Sequence, residues 1–303
     1  MSSHAIIQPL SLTGRLRAFA ALCKLRVNSL IVFTAMIGML LAQEGFPPLM
    51  RFVAASLGIW LVACSAAAIN CLVERTVDAR MMRTARRPLP TGTIAPAEAL
   101  GLAMLLGGCG LTVLHLWVNS LTLWLTLATF FGYAVVYTAI LKPATPMNIV
   151  IGGAAGAMPP LLGWTAMTGH LAAEPIALFL IIFLWTPPHF WSLAMARRED
   201  YARAGFPMLP VTHGIRFTCL HSLLYTLMLA AASYLPVTLG MSDVVYGVVV
   251  SALNAMFLAQ AWRLLRSYSD PAAWRMFRGS LIYLSGLFLA LFADRLLAPW
   301  LPF

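Results

Sequence analysis

The chain has 303 residues, 61% of them hydrophobic and only 10% charged, with a formal net charge of +10. A soluble globular domain carries about a quarter charged residues, so that class is excluded. The basic excess lies between apolar runs, where it orients helices and meets anionic head groups or substrates, so nucleic acid is not the expected partner.

Residues 1–26 read as a cytoplasmic N-terminal segment without a short apolar core and cleavage site, so no cleavable signal is expected. From Arg15 to Arg26 basic and apolar residues alternate, which suits a helix lying along the membrane interface. Residues 27–303 read as a single membrane-embedded, all-α domain. Nine apolar spans follow at roughly 27–43, 52–73, 97–117, 120–141, 147–168, 175–195, 217–239, 244–265 and 279–299. Each is near the ~20 residues that cross a hydrocarbon core.

With the N-terminus in the cytoplasm, Arg15, Arg17, Lys24 and Arg26 fall on that side. So do Arg75, Arg80, Arg83, Arg86, Arg87, Lys142, Arg197, Arg198, Arg203, Arg216, Arg263, Arg266, Arg275 and Arg278, and only Arg51 and Arg295 fall opposite. That bias gives an N-in, C-out orientation. Cys23, Cys64, Cys71, Cys109 and Cys219 show no ligand-like spacing and read as small packing residues.

The first large cytoplasmic stretch, NCLVERTVDARMMRTARRPLPTG (70–92), holds two of the ten acids and five of the twenty basic residues. Asn70, Glu74 and Asp78 are spaced i, i+4, i+8 and would project from nearly one helix face. Carboxylates so placed can share Mg²⁺, with Asn70 as a neutral oxygen ligand, while arginines suit phosphate oxygens. The competing reading is a loop whose arginines fix topology and whose acids merely pair with them. YTAILKPATPMNIVIGG (137–153) places Tyr137 and Lys142 at the membrane border, and Gly152 to Gly156 offer a small-residue face for close helix contact. FWSLAMARREDYARAGFPMLPVTHG (190–214) contributes Glu199, Asp200, Tyr201 and His213. The fourth stretch, RLLRSYSDPAAWRMFR, reads as ordinary basic anchoring.

Two proline pairs, Pro159-Pro160 and Pro187-Pro188, lie inside apolar runs, where each is expected to kink or break a helix. His189 follows the second pair, and an ionisable group inside a span is a functional candidate. Trp164, Phe190 and Trp191 could face a substrate cation, or simply pack.

These three blocks, with FLWTPPHFW before the third, resemble the protohaem IX farnesyltransferases (haem O synthases) of the UbiA superfamily, over most of the chain. The resemblance implies a nine-helix bundle around a central cavity opening to the cytoplasmic side of a bacterial inner membrane. It implies Mg²⁺ dependence, farnesyl diphosphate as donor, and haem B as acceptor, its vinyl group becoming hydroxyethylfarnesyl. Carried over by motif, Asn70, Glu74, Asp78, Arg83, Arg87, Lys142 and Asp200 belong to the donor site. Arg86 and Tyr137 join the diphosphate contacts and Glu199 the metal ligands, while His189, then His213, are candidates for the haem. Hand-over to a haem A synthase or terminal oxidase would follow. This chain departs from the pattern in carrying Glu74 where Asp is frequent and Pro143 after Lys142. It also lacks two aspartates four apart in the third block. The alternatives are another aromatic or tetrapyrrole acceptor, or a haem-handling or transport protein without chemistry.

Overall fold

A computed structural model describes residues 11–297; the first ten residues of the expected N-terminal segment and positions 298–299 of the ninth predicted span lie outside the described residues. Each predicted span has a helical counterpart, and the described residues contain no strand. In lipid this follows from the backbone, whose polar groups must be satisfied within each segment.

The chain begins with α1 (Leu12–Leu22) and α2 (Leu25–Leu41), bent by 50° at a break around Lys24. Helix α3 (Leu49–Val73) runs to Glu74, α4 (Arg75–Asp78) adds one turn, and α5 (Pro96–Trp117) returns. Helix α6 (Ser120–Phe131) passes into a π-helix (Gly132–Leu141) and the short α7 (Lys142–Ala144). Helices α8 (Asn148–Ala157) and α9 (Pro159–Thr168) form one broken span, followed by the long α10 (Ala173–Ala196). Short α11 (Arg198–Arg203) and α12 (Leu209–Thr212) lead into α13 (Gly214–Ala232), α14 (Leu235–Thr238), α15 (Val244–Arg266) and α16 (Asp270–Leu297).

Among the described residues eight segments are long and apolar enough to cross a membrane; α2, at 17 residues, meets that test only together with α1, and counting that bent pair as one span gives up to nine. Large apolar side chains such as Met104, Trp124, Val248 and Ile282 face outward, as lipid-facing residues do. The two basic residues expected opposite the cytoplasm each bind a backbone carbonyl: Arg51 donates to Met167 and Arg295 to Gln43. Both acceptors lie at the ends of spans that the sequence put on that same side.

The two proline pairs behave differently. Met158 ends α8 and Pro159 starts α9, so the first pair makes the expected break. Pro187 and Pro188 instead sit within a continuous α10, so of the expected kink or break no break occurs there. Thr186 donates to Ile182 across that turn, and α10 is held on several sides by α8, α9, α13 and α16. Packing outweighs the two lost amide donors.

Close crossings rest on glycine. A Cβ on Gly163 would lie 1.9 Å from the Ala35 carbonyl oxygen, and one on Gly38 would lie 2.2 Å from that of Pro160, so α2 and α9 touch backbone to backbone. Gly152, in the predicted small-residue face, receives the Tyr137 ring, and Gly153 receives Thr186.

Gly163→Val is expected to lower stability by about 1–3 kcal/mol or more through overpacking at a backbone contact. Gly101→Ala, with nothing near its Cβ, should be neutral or stabilising by about 0.5 kcal/mol. Melting temperatures of the two purified variants in one detergent would check both.

Candidate active site

Glu74 closes α3 and Asp78 closes α4, and the backbone bonds Glu74 N–H to Asn70 and Asp78 N–H to Glu74 keep the i, i+4, i+8 face nearly continuous. Asn70, Glu74 and Asp78 are all buried. A buried carboxylate needs a paired cation or strong hydrogen bonds. Glu74 is paired with Lys142, and Asp78 with Arg87 at 2.6 Å. Thr84 donates to the Asp78 carbonyl at 2.9 Å, folding the loop back so that Arg87 can reach its partner.

Pairing of acids with neighbouring arginines therefore covers only half of the arrangement. Lys142 comes from a different loop, 68 positions away. The π-helix that precedes Lys142 delivers it: Lys142 N–H donates to Tyr137, five residues back, and Thr138 Oγ1 donates to Tyr133, also five back. The wider turn aims Thr138 at Asn70, whose amide nitrogen donates to Thr138 Oγ1 at 3.1 Å and to Glu74 at 2.9 Å. π-turns of this kind recur at functional sites. Tyr133 and Tyr137 stack with centroids 5.6 Å apart, and Lys142 Nζ lies 4.8 Å from the centre of the Phe206 ring.

Phe206 belongs to the third loop, which meets the first through a shared apolar cluster. Met81 and Val77 pack there with Tyr201, Phe206, Met208 and Leu209. Burial pushes the Tyr201 phenol up, and the guanidiniums of Arg83 and Arg197 pull it back. Tyr201 thus stands within electrostatic range of both loops. Trp191 is fully buried in the same cluster, edge-on to Tyr225, and Trp164 is buried in the main core, so both pack; Phe190 is half-buried beside Tyr201.

The remaining predicted residues are less convergent. Asp200 pairs with Arg203 at 2.7 Å, and with Glu199 it lines a cavity of about 250 Å³ shared with Arg197, Arg198, Asp270 and Trp274. The fourth loop is therefore more than basic anchoring: Trp274 lies beneath the Arg197 guanidinium at 5.1 Å, and Asp270 accepts from Tyr268. Arg83 and Arg86 are exposed, and only Arg87 of the loop's arginines reaches a carboxylate. Among the described residues no three His, Cys, Asp or Glu side chains gather closely enough to hold a metal by themselves. Glu74 and Asp78 with Asn70 form an all-oxygen donor set of the kind Mg²⁺ accepts, provided a ligand's oxygens and water complete the shell. The Asn70 side-chain oxygen here accepts from Lys24 at 2.5 Å.

His189 is sandwiched between Trp185 (4.1 Å) and Phe277 (4.8 Å), with Nδ1 2.6 Å from Ser280 Oγ. Ser280 Oγ gives its only proton to the Phe277 carbonyl. With that proton so placed, Ser280 Oγ accepts when His189 carries its hydrogen on Nδ1, the tautomer that would leave the Nε2 lone pair free. His213 is exposed, stacked on Phe217 and bonded to Thr212.

The sequence reading missed Lys24, Tyr133, Thr138 and Phe206 as neighbours of the acidic face. By sequence Lys24 reads only as one of the cytoplasmic basic residues. Thr138, a hydroxyl one turn before Lys142 in an apolar run, was the available signal.

Lys142→Met leaves the Glu74 charge buried and unpaired, and should cost about 3 kcal/mol. Adding Glu74→Gln should recover most of that loss. Thermal unfolding of the two single variants and the double variant would measure the coupling.

The model of the UbiA prenyltransferase family matches residues 31–292. A protoheme IX farnesyltransferase of Dechloromonas aromatica is 66% identical over 288 residues, covering 95% of this chain and 97% of the relative. One of Aromatoleum aromaticum is 61% identical, covering 93% of each. Among solved structures, one described as digeranylgeranylglyceryl phosphate synthase in membranes superposes with a TM-score of 0.79 at 19% identity, over 93% of this chain and 98% of that one. A UbiA homolog of Archaeoglobus fulgidus bound to DMAPP and Mg²⁺ gives 0.63 at 17% identity, over 91% and 97%. These two structures share the fold.

Proposed function

The chain belongs to the UbiA prenyltransferase family, and from that premise we propose that it transfers a farnesyl group from farnesyl diphosphate to the vinyl group of protohaem IX, with addition of water, giving haem O. The observation that carries this reading is the meeting of two buried carboxylates with two cations from separate loops, Glu74 with Lys142 and Asp78 with Arg87. A site that interleaves both signs can take up a metal diphosphate by exchanging partners: carboxylates to the metal, ammonium and guanidinium to the phosphates. The near-full-length relatives named for protoheme IX support the acceptor and the donor.

Glu74 and Asp78, with the amide of Asn70, would hold Mg²⁺. Bound there, the ion neutralises charge on the leaving diphosphate. Glu199 and Asp200 are the candidates for a second carboxylate wall, and Arg83 and Arg86 for outer diphosphate contacts.

The C1–O bond of farnesyl diphosphate breaks with both electrons on the diphosphate, whose growing charge Lys142 and Arg87 stabilise. The stacked Tyr133 and Tyr137 offer aromatic faces to the allylic cation. The terminal vinyl carbon then bonds to C1, leaving a carbocation beside the porphyrin ring. Water adds to that carbon and its lost proton leaves with the diphosphate, giving the hydroxyl. His189 is the first candidate to hold the haem, since an imidazole nitrogen suits haem iron; His213, on the surface, is the second candidate. The enzyme would lie in the bacterial inner membrane with its N-terminus in the cytoplasm and its C-terminus opposite, and pass product to a haem A synthase or terminal oxidase.

Incubation of the purified protein with haem B, farnesyl diphosphate and Mg²⁺ should add the mass of one farnesyl and one water to the extracted haem, and chelation should stop it. In the same mass-spectrometric assay Asp78→Asn should lower the rate about 10²-fold or more; an unchanged rate would sink the metal–diphosphate site. His189→Ala should weaken haem binding, read from the Soret band in a titration, with little effect on pyrophosphate binding.

A further inference from the structure

The ion pairs at the acidic face leave one cation over. Lys142 is matched to Glu74 and Arg87 to Asp78, yet Lys24 forms no ion pair among the described residues and donates at 2.5 Å to the neutral oxygen of Asn70. Resting on the diphosphate reading above, we propose that Lys24 is a third cation of that site, and that the ammonium now on Asn70 passes to a phosphate oxygen of the bound diphosphate.

Three observations carry this. The first is charge: the Lys24 ammonium is half-buried and its hydrogen bond goes to a neutral amide oxygen while the nearby carboxylates are paired with other cations, and a phosphate oxygen would be a far better acceptor.

The second is backbone strain. Lys24 is the only non-glycine residue with positive φ among the described residues (φ 47°, ψ 49°), a conformation that is unfavourable for a lysine. Glycine or asparagine would meet that backbone demand better. A lysine held there fits a need for its side chain rather than its backbone, the usual meaning of strain at a functional site.

The third is position. The break between α1 and α2 is packed onto the far end of the arginine loop: Leu22 and Ala18 lie in one apolar cluster with Ala68, Cys71, Leu89 and Ile94. Arg15 pairs with Glu98 and fixes α1 to the start of α5. Lys24 is thereby held beside the same wall that carries Asn70 and, two residues before Leu89, Arg87. Its transfer to phosphate would also free the Asn70 oxygen for the metal, linking the two binding events.

The alternative is that Lys24 only tethers the α1–α2 corner to Asn70. Lys24→Asn separates the two, because asparagine tolerates the left-handed backbone while removing the charge. Inorganic pyrophosphate with Mg²⁺, titrated into the full-length protein in detergent, is the probe. Lys24→Asn should bind it about tenfold more weakly or worse, with haem affinity unchanged and a melting temperature equal to or above wild type. Lys24→Arg should stay within about threefold of wild type, since it keeps a cation. Wild-type affinity in Lys24→Asn would overturn the proposal. So would lost affinity accompanied by a lower melting temperature, if Lys24→Arg failed to restore binding. Absence of Mg-pyrophosphate binding to the wild-type protein would instead overturn the donor-site reading, and the assignment of Lys24 with it.

Discussion

Two carboxylates buried at the edge of a low-dielectric bundle set the terms for everything around them. Glu74 and Asp78 need close cations there, because burying an unpaired charge costs several kcal/mol. The chain meets this demand from two directions: Arg87 folds back within the same loop, and Lys142 arrives from another. The π-helix from Gly132 to Leu141 and the turn closed by Thr84 are local solutions to that single requirement. Pairing with cations that themselves suit phosphate makes the resting charges exchangeable rather than inert.

The helices hold these loops in register by close backbone contact. Without a hydrophobic drive between helices in lipid, small residues and van der Waals fit do most of the work. Gly38 and Gly163 bring α2 against α9, and Gly152 makes room for the Tyr137 ring on the π-helix. The second proline pair shows the same balance from the other side. Pro187 and Pro188 remain inside α10 because neighbours on several faces support that helix, and His189 is thereby carried into its sandwich between Trp185 and Phe277.

Strain and incomplete charge compensation coincide at Lys24, and each would be hard to understand alone. A lysine in left-handed backbone is unfavourable, and so is an ammonium whose hydrogen bond goes to a neutral amide oxygen. Their meeting at the acidic face ties the N-terminal break to the wall that carries Asn70.

The sequence by itself determined the membrane class, the run of apolar helices, the clustering of basic residues between them and the face shared by Asn70, Glu74 and Asp78. These are properties of composition and of helical period, which act over a few turns and need no partner. The motif blocks also carried the family. Tertiary structure alone decided which cation meets which carboxylate, that α10 passes its prolines unbroken, and that Thr138, Phe206 and Lys24 stand at the site. It also set Asp200 against Arg203, in a cavity shared with the fourth loop. The matches of Glu74 with Lys142 and of Asn70 with Thr138 and Lys24 join residues dozens of positions apart, through a π-turn and the packing of separate helices. No periodicity along the chain records them, because they arise only when the packed helices bring separate loops to one end of the bundle.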